Sequence, residues 1–178
     1  MAASGKKVAF LLTKGVEQVE LTSPREALDG AGATTVIVSP ESPTLQAMQG
    51  DWEHGDVFHV DLSVADANPA DYDALVLPGG TLNADSLRLD ENAVAFVKEY
   101  IASGRPVAAI CHAPWILVQA GVASGRRLTS YASLEHDLRN AGADWVDEEV
   151  VVDGNLITSR NPGDLDAFNG ALLEALGE

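Results

Sequence analysis

Four short apolar runs frame this chain: Val8-Ala9-Phe10-Leu11-Leu12, Thr35-Val36-Ile37-Val38, Asp73-Ala74-Leu75-Val76-Leu77 and Val107-Ala108-Ala109-Ile110. Each reads as a strand buried on both faces, the mark of a parallel sheet covered by helices. Helical stretches fill the intervals. Ser23-Pro24-Arg25-Glu26 offers a cap, a proline suited to a first turn and a glutamate that completes a capping box, with Ala31-Gly32 as the stop. Glu91 to Ile101 has helical spacing closed by Ser103-Gly104, a helix runs from the cysteine strand through Val118 to Gly121, and Leu134 to Asn140 gives another before Gly142. Pro162 to Leu176 closes the chain with Leu165, Phe168, Leu172, Leu173 and Leu176 on one stripe. Met48 to Asp61 alternates around Glu53-His54-Gly55-Asp56 and predicts a hairpin at a sheet edge, while Asp153-Gly154 marks a second hairpin within Glu149 to Thr158. This alternation predicts an α/β fold with an open, mainly parallel sheet and helices on both faces. With 178 residues, 46% of them hydrophobic, and no repeat or linker, one domain spanning 1–178 is expected.

In such sheets functional residues collect beyond the carboxyl ends of the strands. Three segments fall there: Gly15 to Glu20, Gly79-Gly80 and Cys111-His112. The last lies in Ala109-Ile110-Cys111-His112-Ala113, with small residues two before and two after the cysteine, as a nucleophile on a sharp strand-to-helix turn requires. Pro114 suits a first helical turn, which predicts a helix beginning beside Cys111. Its free amides and positive dipole end would favour a thiolate. A small buried hydrophobe is the alternative reading of a lone cysteine. Gly79-Gly80, taken alone, equally fits a tight turn.

The net charge of −16, from 11 basic and 27 acidic residues, argues against a nucleic-acid or anionic-membrane surface. One cysteine makes no internal disulfide, Met1 to Lys7 runs into a strand instead of a signal-peptide core, and the apolar runs are too short to span a bilayer. A cytoplasmic protein is expected. His54, His59, His112, His136 and Cys111 show neither HExxH nor CxxC spacing, and no phosphate loop or Rossmann fingerprint occurs, so neither metal nor cofactor is expected.

Taken together, Gly15-Val16-Glu17-Gln18-Val19-Glu20, Leu75-Val76-Leu77-Pro78-Gly79-Gly80, Ala109-Ile110-Cys111-His112-Ala113-Pro114 and Glu149 to Asn155 resemble the PfpI family. This is the intracellular peptidase-like and deglycase-like branch of the superfamily that contains the parkinsonism-associated deglycase, and the likeness runs from about Lys7 to Leu176. The resemblance implies a flavodoxin-like three-layer sandwich related to class I glutamine amidotransferase domains. It also implies a homo-oligomer and a nucleophilic cysteine, with activities divided among peptide hydrolysis, glyoxalase chemistry and repair of glycated proteins. Carried over by position, Cys111 is the nucleophile, His112 the general acid/base, Gly79 and Gly80 the oxyanion-binding turn with the His112 amide as second donor, and Glu20 the carboxyl group against the sulfur. Glu20 serves best there if protonated, and Glu17 shares its face or is solvated. Asp85, in the loop Thr81 to Arg88, is the nearest acid to orient a histidine across a subunit boundary. The sequence departs from the family in that loop, in Ala113 where many relatives have glycine, and in Trp115, which would narrow the site or belong to the core. The expected function is a hydrolase-like cysteine enzyme of stress protection, acting on small carbonyl compounds, glycated proteins or peptides. The alternative is a redox sensor in which Cys111 oxidises with little turnover.

Overall fold

The structure, a computed structural model, describes residues 3–177; Met1, Ala2 and Glu178, the ends of the expected domain, lie outside the described residues. Strand periodicity sorts each apolar run between two cores. In β1 (Lys7–Leu11), Val8 and Phe10 face one core, shared by the following Leu12, and Ala9 and Leu11 face the other. Helix α1 (Gln18–Gly30) leads to β2 (Thr34–Ser39), parallel to β1 with Lys7 opposite Thr34 and Leu11 opposite Val38. Next come β3 (Thr44–Gln49) and β4 (Glu53–His59), an antiparallel pair in a sheet of their own, and β5 (Leu62–Ser63), which pairs with β2. β6 (Ala74–Leu77), α2 (Thr81–Leu87), α3 (Glu91–Ala102), β7 (Val107–Ile110) and α4 (Trp115–Gln119) follow. The chain ends with β8 (Arg127–Leu128), α5 (Glu135–Asn140), β9 (Asp144–Trp145), β10 (Val150–Asp153), β11 (Leu156–Ser159) and α6 (Leu165–Gly177).

The main sheet has seven strands in the order β10-β11-β7-β6-β1-β2-β5, parallel except for the β10–β11 hairpin. Leu21 and Leu28 of α1 and Phe168 and Leu172 of α6 bury one face of it, and Phe96, Val97 and Tyr100 of α3 with Ile116 and Leu117 of α4 bury the other. The expected α/β three-layer sandwich is therefore what the chain forms. Each fully buried Leu or Phe side chain in these layers contributes about 1.5–3 kcal/mol.

Local expectations fail in four places. Helix α1 starts at Gln18 rather than at Ser23 and carries Pro24 in its interior. Burying Leu21 and Leu28 on one stripe outweighs the hydrogen bond Pro24 cannot make, and the Ser23 hydroxyl accepts from Asn169 Nδ2 at 2.9 Å instead of capping. The first hairpin turns at Gly50-Asp51-Trp52, with positive φ at Gly50, while Glu53 to Asp56 lies within β4. Gly55 marks the place where the Gln18 side chain crosses that strand, not a turn. The segment read as a loop after Gly80 is helix α2. Finally, Cys111 to Pro114 form a turn and α4 begins only at Trp115, so no helix starts beside the cysteine. Among the described residues no helix is long and apolar enough to cross a membrane.

Candidate active site

Strands β1, β6 and β7 are neighbours, and the chain leaves β1 toward β2 on one side and β6 toward β7 on the other. The crevice at that reversal is where a parallel sheet exposes its functional groups. The segments after all three strands meet there around a small cavity of about 160 Å³, bordered by Glu17, Glu20, Gly80, Cys111, His112 and Tyr131, with Asp51 and Thr81 at its rim.

Cys111 is, among the described residues, the one non-glycine residue with positive φ, at 65°. That conformation costs an ordinary residue on the order of 1 kcal/mol. It is held by the Cys111 N–H donating to the Ser159 carbonyl at 3.1 Å and by the Tyr131 N–H donating to the Cys111 carbonyl at 2.8 Å. The bend brings two consecutive side chains together, placing His112 Nδ1 3.1 Å from Cys111 Sγ. The imidazole stacks on Tyr131 at 4.5 Å between centroids and meets Trp115 edge-on at 5.6 Å.

The glycine turn divides its labour differently from the expectation. The Gly79 N–H donates to Glu20 Oε2 at 2.7 Å and is thereby occupied, whereas the amides of Gly80 and His112 donate toward the Cys111 sulfur. The amides of Gly80 and His112 thus face the sulfur, and that of Gly79 does not. A side chain at Gly79 would press on Glu20 Oε2, the Ile110 carbonyl and Cys111 Cβ, and Gly80 has φ 91° with Glu17 and Gly15 backbone packed against it. Asn83, fully buried, accepts from the Thr13 N–H at 2.7 Å and donates to the carbonyls of Pro78 and Gly79 at 3.0 and 2.9 Å, tying the loop after β1 to the turn after β6.

Glu20 lies wholly buried beside the thiol, and burial pushes its carboxyl up to about 8, against the lowering effects of the Gly79 N–H and of the adjacent Cys111 side chain. At neutral pH it keeps its proton. Burial also raises the Cys111 thiol, and a charge on Glu20 would raise it further, with the Gly80 and His112 amides acting in the opposite direction. The resting sulfur is thus a thiol, which corrects the expectation of a dipole-stabilised thiolate. The turn amides are present, but they do not offset removal from water. Burial lowers the His112 imidazole, partly countered by the charge of Asp51. It therefore stands neutral beside a thiol, the pairing a general base requires. Glu17 accepts from the Gly50 N–H at 2.9 Å, and burial and Asp51 raise its carboxyl.

Trp115 and Asp85 both lie outside the lining of the cavity. Trp115 does not border the cavity: its indole N–H donates to Asp137 Oδ2 at 2.9 Å, Arg88 sits over its ring, and its edge backs His112. Asp85 is exposed on α2, and the side chains of the same chain that stand at His112 Nε2 are Thr81 and Ser133. Sequence reasoning missed Asp51, Thr81, Tyr131 and Asn83. Thr81 directly follows the glycine turn, which was a usable signal, while Asp51 and Tyr131 come from distant segments and carried none.

The DJ-1/PfpI family pattern matches residues 6–175. The protein named deglycase PfpI of Pyrococcus furiosus is 44% identical over 162 residues, covering 91% of this chain and 94% of its own length. Drosophila melanogaster DJ-1beta superposes with a TM-score of 0.86 at 31% identity, over 97% of this chain and 91% of that one. A two-domain Anabaena variabilis protein containing DJ-1/ThiJ/PfpI-like and ferritin-like domains superposes with a TM-score of 0.90 at 38% identity, and this chain spans 48% of its length. The sandwich described above is the flavodoxin-like fold of these neighbours.

Proposed function

The chain belongs to the DJ-1/PfpI family, and from that membership we propose that it is a cysteine-dependent enzyme acting on small carbonyl compounds or the adducts they form on proteins. The observation that carries this reading is the 3.1 Å approach of His112 Nδ1 to Cys111 Sγ at a cavity. His112 takes the thiol proton as Sγ bonds to the carbonyl carbon. The π electrons of the carbonyl move to its oxygen, where the Gly80 and His112 amides receive the charge. Return of the proton from His112 to that oxygen closes a neutral thiohemiacetal. Protonated Glu20 leaves no like charge to oppose the transient thiolate.

That first step is common to deglycase, glyoxalase and peptide-hydrolysing chemistry. A cavity of only about 160 Å³ favours small carbonyls over an extended peptide, and relatives named deglycase support the same choice. The single cysteine, with no possible internal disulfide, supports action in a reducing cytoplasm, in protection against carbonyl stress. Self-association belongs to the same reading, supported by Leu82 and Leu89, 47% and 76% exposed on and just after α2. Sedimentation as a monomer at micromolar concentration would remove it.

Turnover of methylglyoxal, release of methylglyoxal from glycated N-acetylarginine and cleavage of a fluorogenic peptide test the proposal in wild type and Cys111→Ser. The first two activities are expected in wild type and absent from the variant. Equal rates in the two proteins reject Cys111 as nucleophile, and activity on the peptide alone rejects the small-carbonyl assignment. A second reading, redox sensing, is favoured by one observation: Glu20 Oε1 is buried without a hydrogen-bond partner beside the sulfur. A protonated Glu20 can donate to a sulfinate. Mass spectrometry after mild peroxide decides it, since a Cys111 that stays reduced under doses that oxidise exposed thiols is no sensor.

A further inference from the structure

The chemistry above uses one imidazole nitrogen and leaves the other unassigned. His112 Nε2 lies 3.4 Å from Thr81 Oγ1 and 3.5 Å from Ser133 Oγ, and the Thr81 hydroxyl donates to Asp51 Oδ2 at 3.2 Å. An ionised carboxylate only accepts hydrogen bonds, so the single hydroxyl proton of Thr81 is committed to Asp51. Thr81 Oγ1 then presents a lone pair to Nε2, which favours the ring proton on that nitrogen, with Ser133 Oγ as a second acceptor for it. With the proton on Nε2, Nδ1 is the basic nitrogen, and it is Nδ1 that faces the sulfur. We propose that Asp51, acting through the Thr81 hydroxyl, is a positioning residue that fixes the His112 tautomer, so that one chain carries its own relay from Cys111 through His112 and Thr81 to Asp51.

The fold brings these groups together from elements far apart in sequence. Thr81 opens α2 directly after Gly80, and Asp51 sits at the tip of the β3–β4 hairpin. The hairpin is held over the crevice by backbone bonds from Gly15 N–H to the Gln46 carbonyl and from Met48 N–H to the Val16 carbonyl, each 2.8 Å. The Gly50 N–H anchors its tip on Glu17, and Gln18 exchanges two hydrogen bonds with Asp56 at its base. The titratable groups around His112 are Cys111, Glu17, Glu20, Asp51 and the stacked Tyr131, with Arg88 beyond Trp115. Glu20 faces the thiol, Glu17 is bonded to the Gly50 N–H at the hairpin tip, and Asp51 is the acid linked through a hydroxyl to the far nitrogen. Asp85, exposed further along α2, has no such link among the described residues.

The proposal rests on the Cys111–His112 pairing of the preceding section but not on any substrate, and its test reads the imidazole and the thiol directly. Nitrogen-15 NMR of histidine-labelled wild-type protein, at a pH where His112 is neutral, is expected to show the proton on Nε2; a proton on Nδ1 overturns the proposal without any variant. The rate of Cys111 alkylation by iodoacetamide is then followed against pH. Asp51→Asn is expected to slow it near neutrality about fivefold, in keeping with the size of an exposed charge interaction. Thr81→Val should slow it about tenfold, as loss of one hydrogen bond allows, and Thr81→Ser should restore the wild-type profile. Profiles of Asp51→Asn and Thr81→Val that coincide with wild type overturn the relay. So does a slowing confined to Asp85→Asn, which hands the role to an acid of a neighbouring subunit. Absence of methylglyoxal turnover, with these results intact, would count against the enzyme assignment alone.

Discussion

Glu20 places a titratable group where water does not reach, with one oxygen bonded to the Gly79 N–H and the other unpartnered. Its folded pKa, raised from 4.5 to about 8, means that the native protein keeps a proton which the unfolded chain gives up at lower pH. The resulting stability is fully present below the unfolded value and is lost as pH rises from about 4.5 to about 8. Glu20→Gln keeps the shape and removes the titration, so its melting temperature relative to wild type should climb across that window, by calorimetry in matched buffers. A constant difference would mean that the carboxyl is ionised throughout. At this scale the cysteine and its neighbour were legible because small residues on both sides of Cys111 record the tightness of the bend. The state of the sulfur was not legible, since burial and the approach of Glu20 are properties of packed layers. Asp51 was invisible for a similar reason: it reaches His112 only through the closure of a hairpin over a helix start.

Helix α2 shows how a short element can govern a site without supplying its cysteine or histidine. Its second turn carries nothing reactive, but Asn83 bonds three backbone groups of two different loops. Asn83→Ala would leave the Thr13 N–H and two carbonyls without partners in a buried place, at a cost of about 2–4 kcal/mol, measurable as a lowered urea midpoint with an unchanged slope. Seven residues capped by a glycine that offers no side chain give little helical signal, which is why this segment read as a loop. Longer elements were legible from period alone: α3 and the strands β6 and β7 match their expected limits to within a residue. The hairpin was recognised but its turn was misplaced, because Gly55 looks the same in sequence whether it bends the chain or makes room for Gln18.

Over the whole molecule, 27 acidic side chains face only 11 basic ones. Several cations are already paired, as Arg160 with Asp147 and Asp164 and Arg127 with Glu148, so the excess is a net outward repulsion. Raising sodium chloride from about 10 mM to about 150 mM shortens the Debye length from about 30 Å to about 8 Å and should raise the melting temperature. A fall would mean that the surface ion pairs outweigh the repulsion. That three loops converge on one edge was legible in advance, since parallel strands must all end on the same side. The β3–β4 hairpin, a sheet separate from the seven-stranded one, stands outside that rule. It gives the molecule a division between heritage and novelty: Cys111 rides on the rigid frame, and the rim rides on an appendage whose length and tip can drift over generations without disturbing the frame.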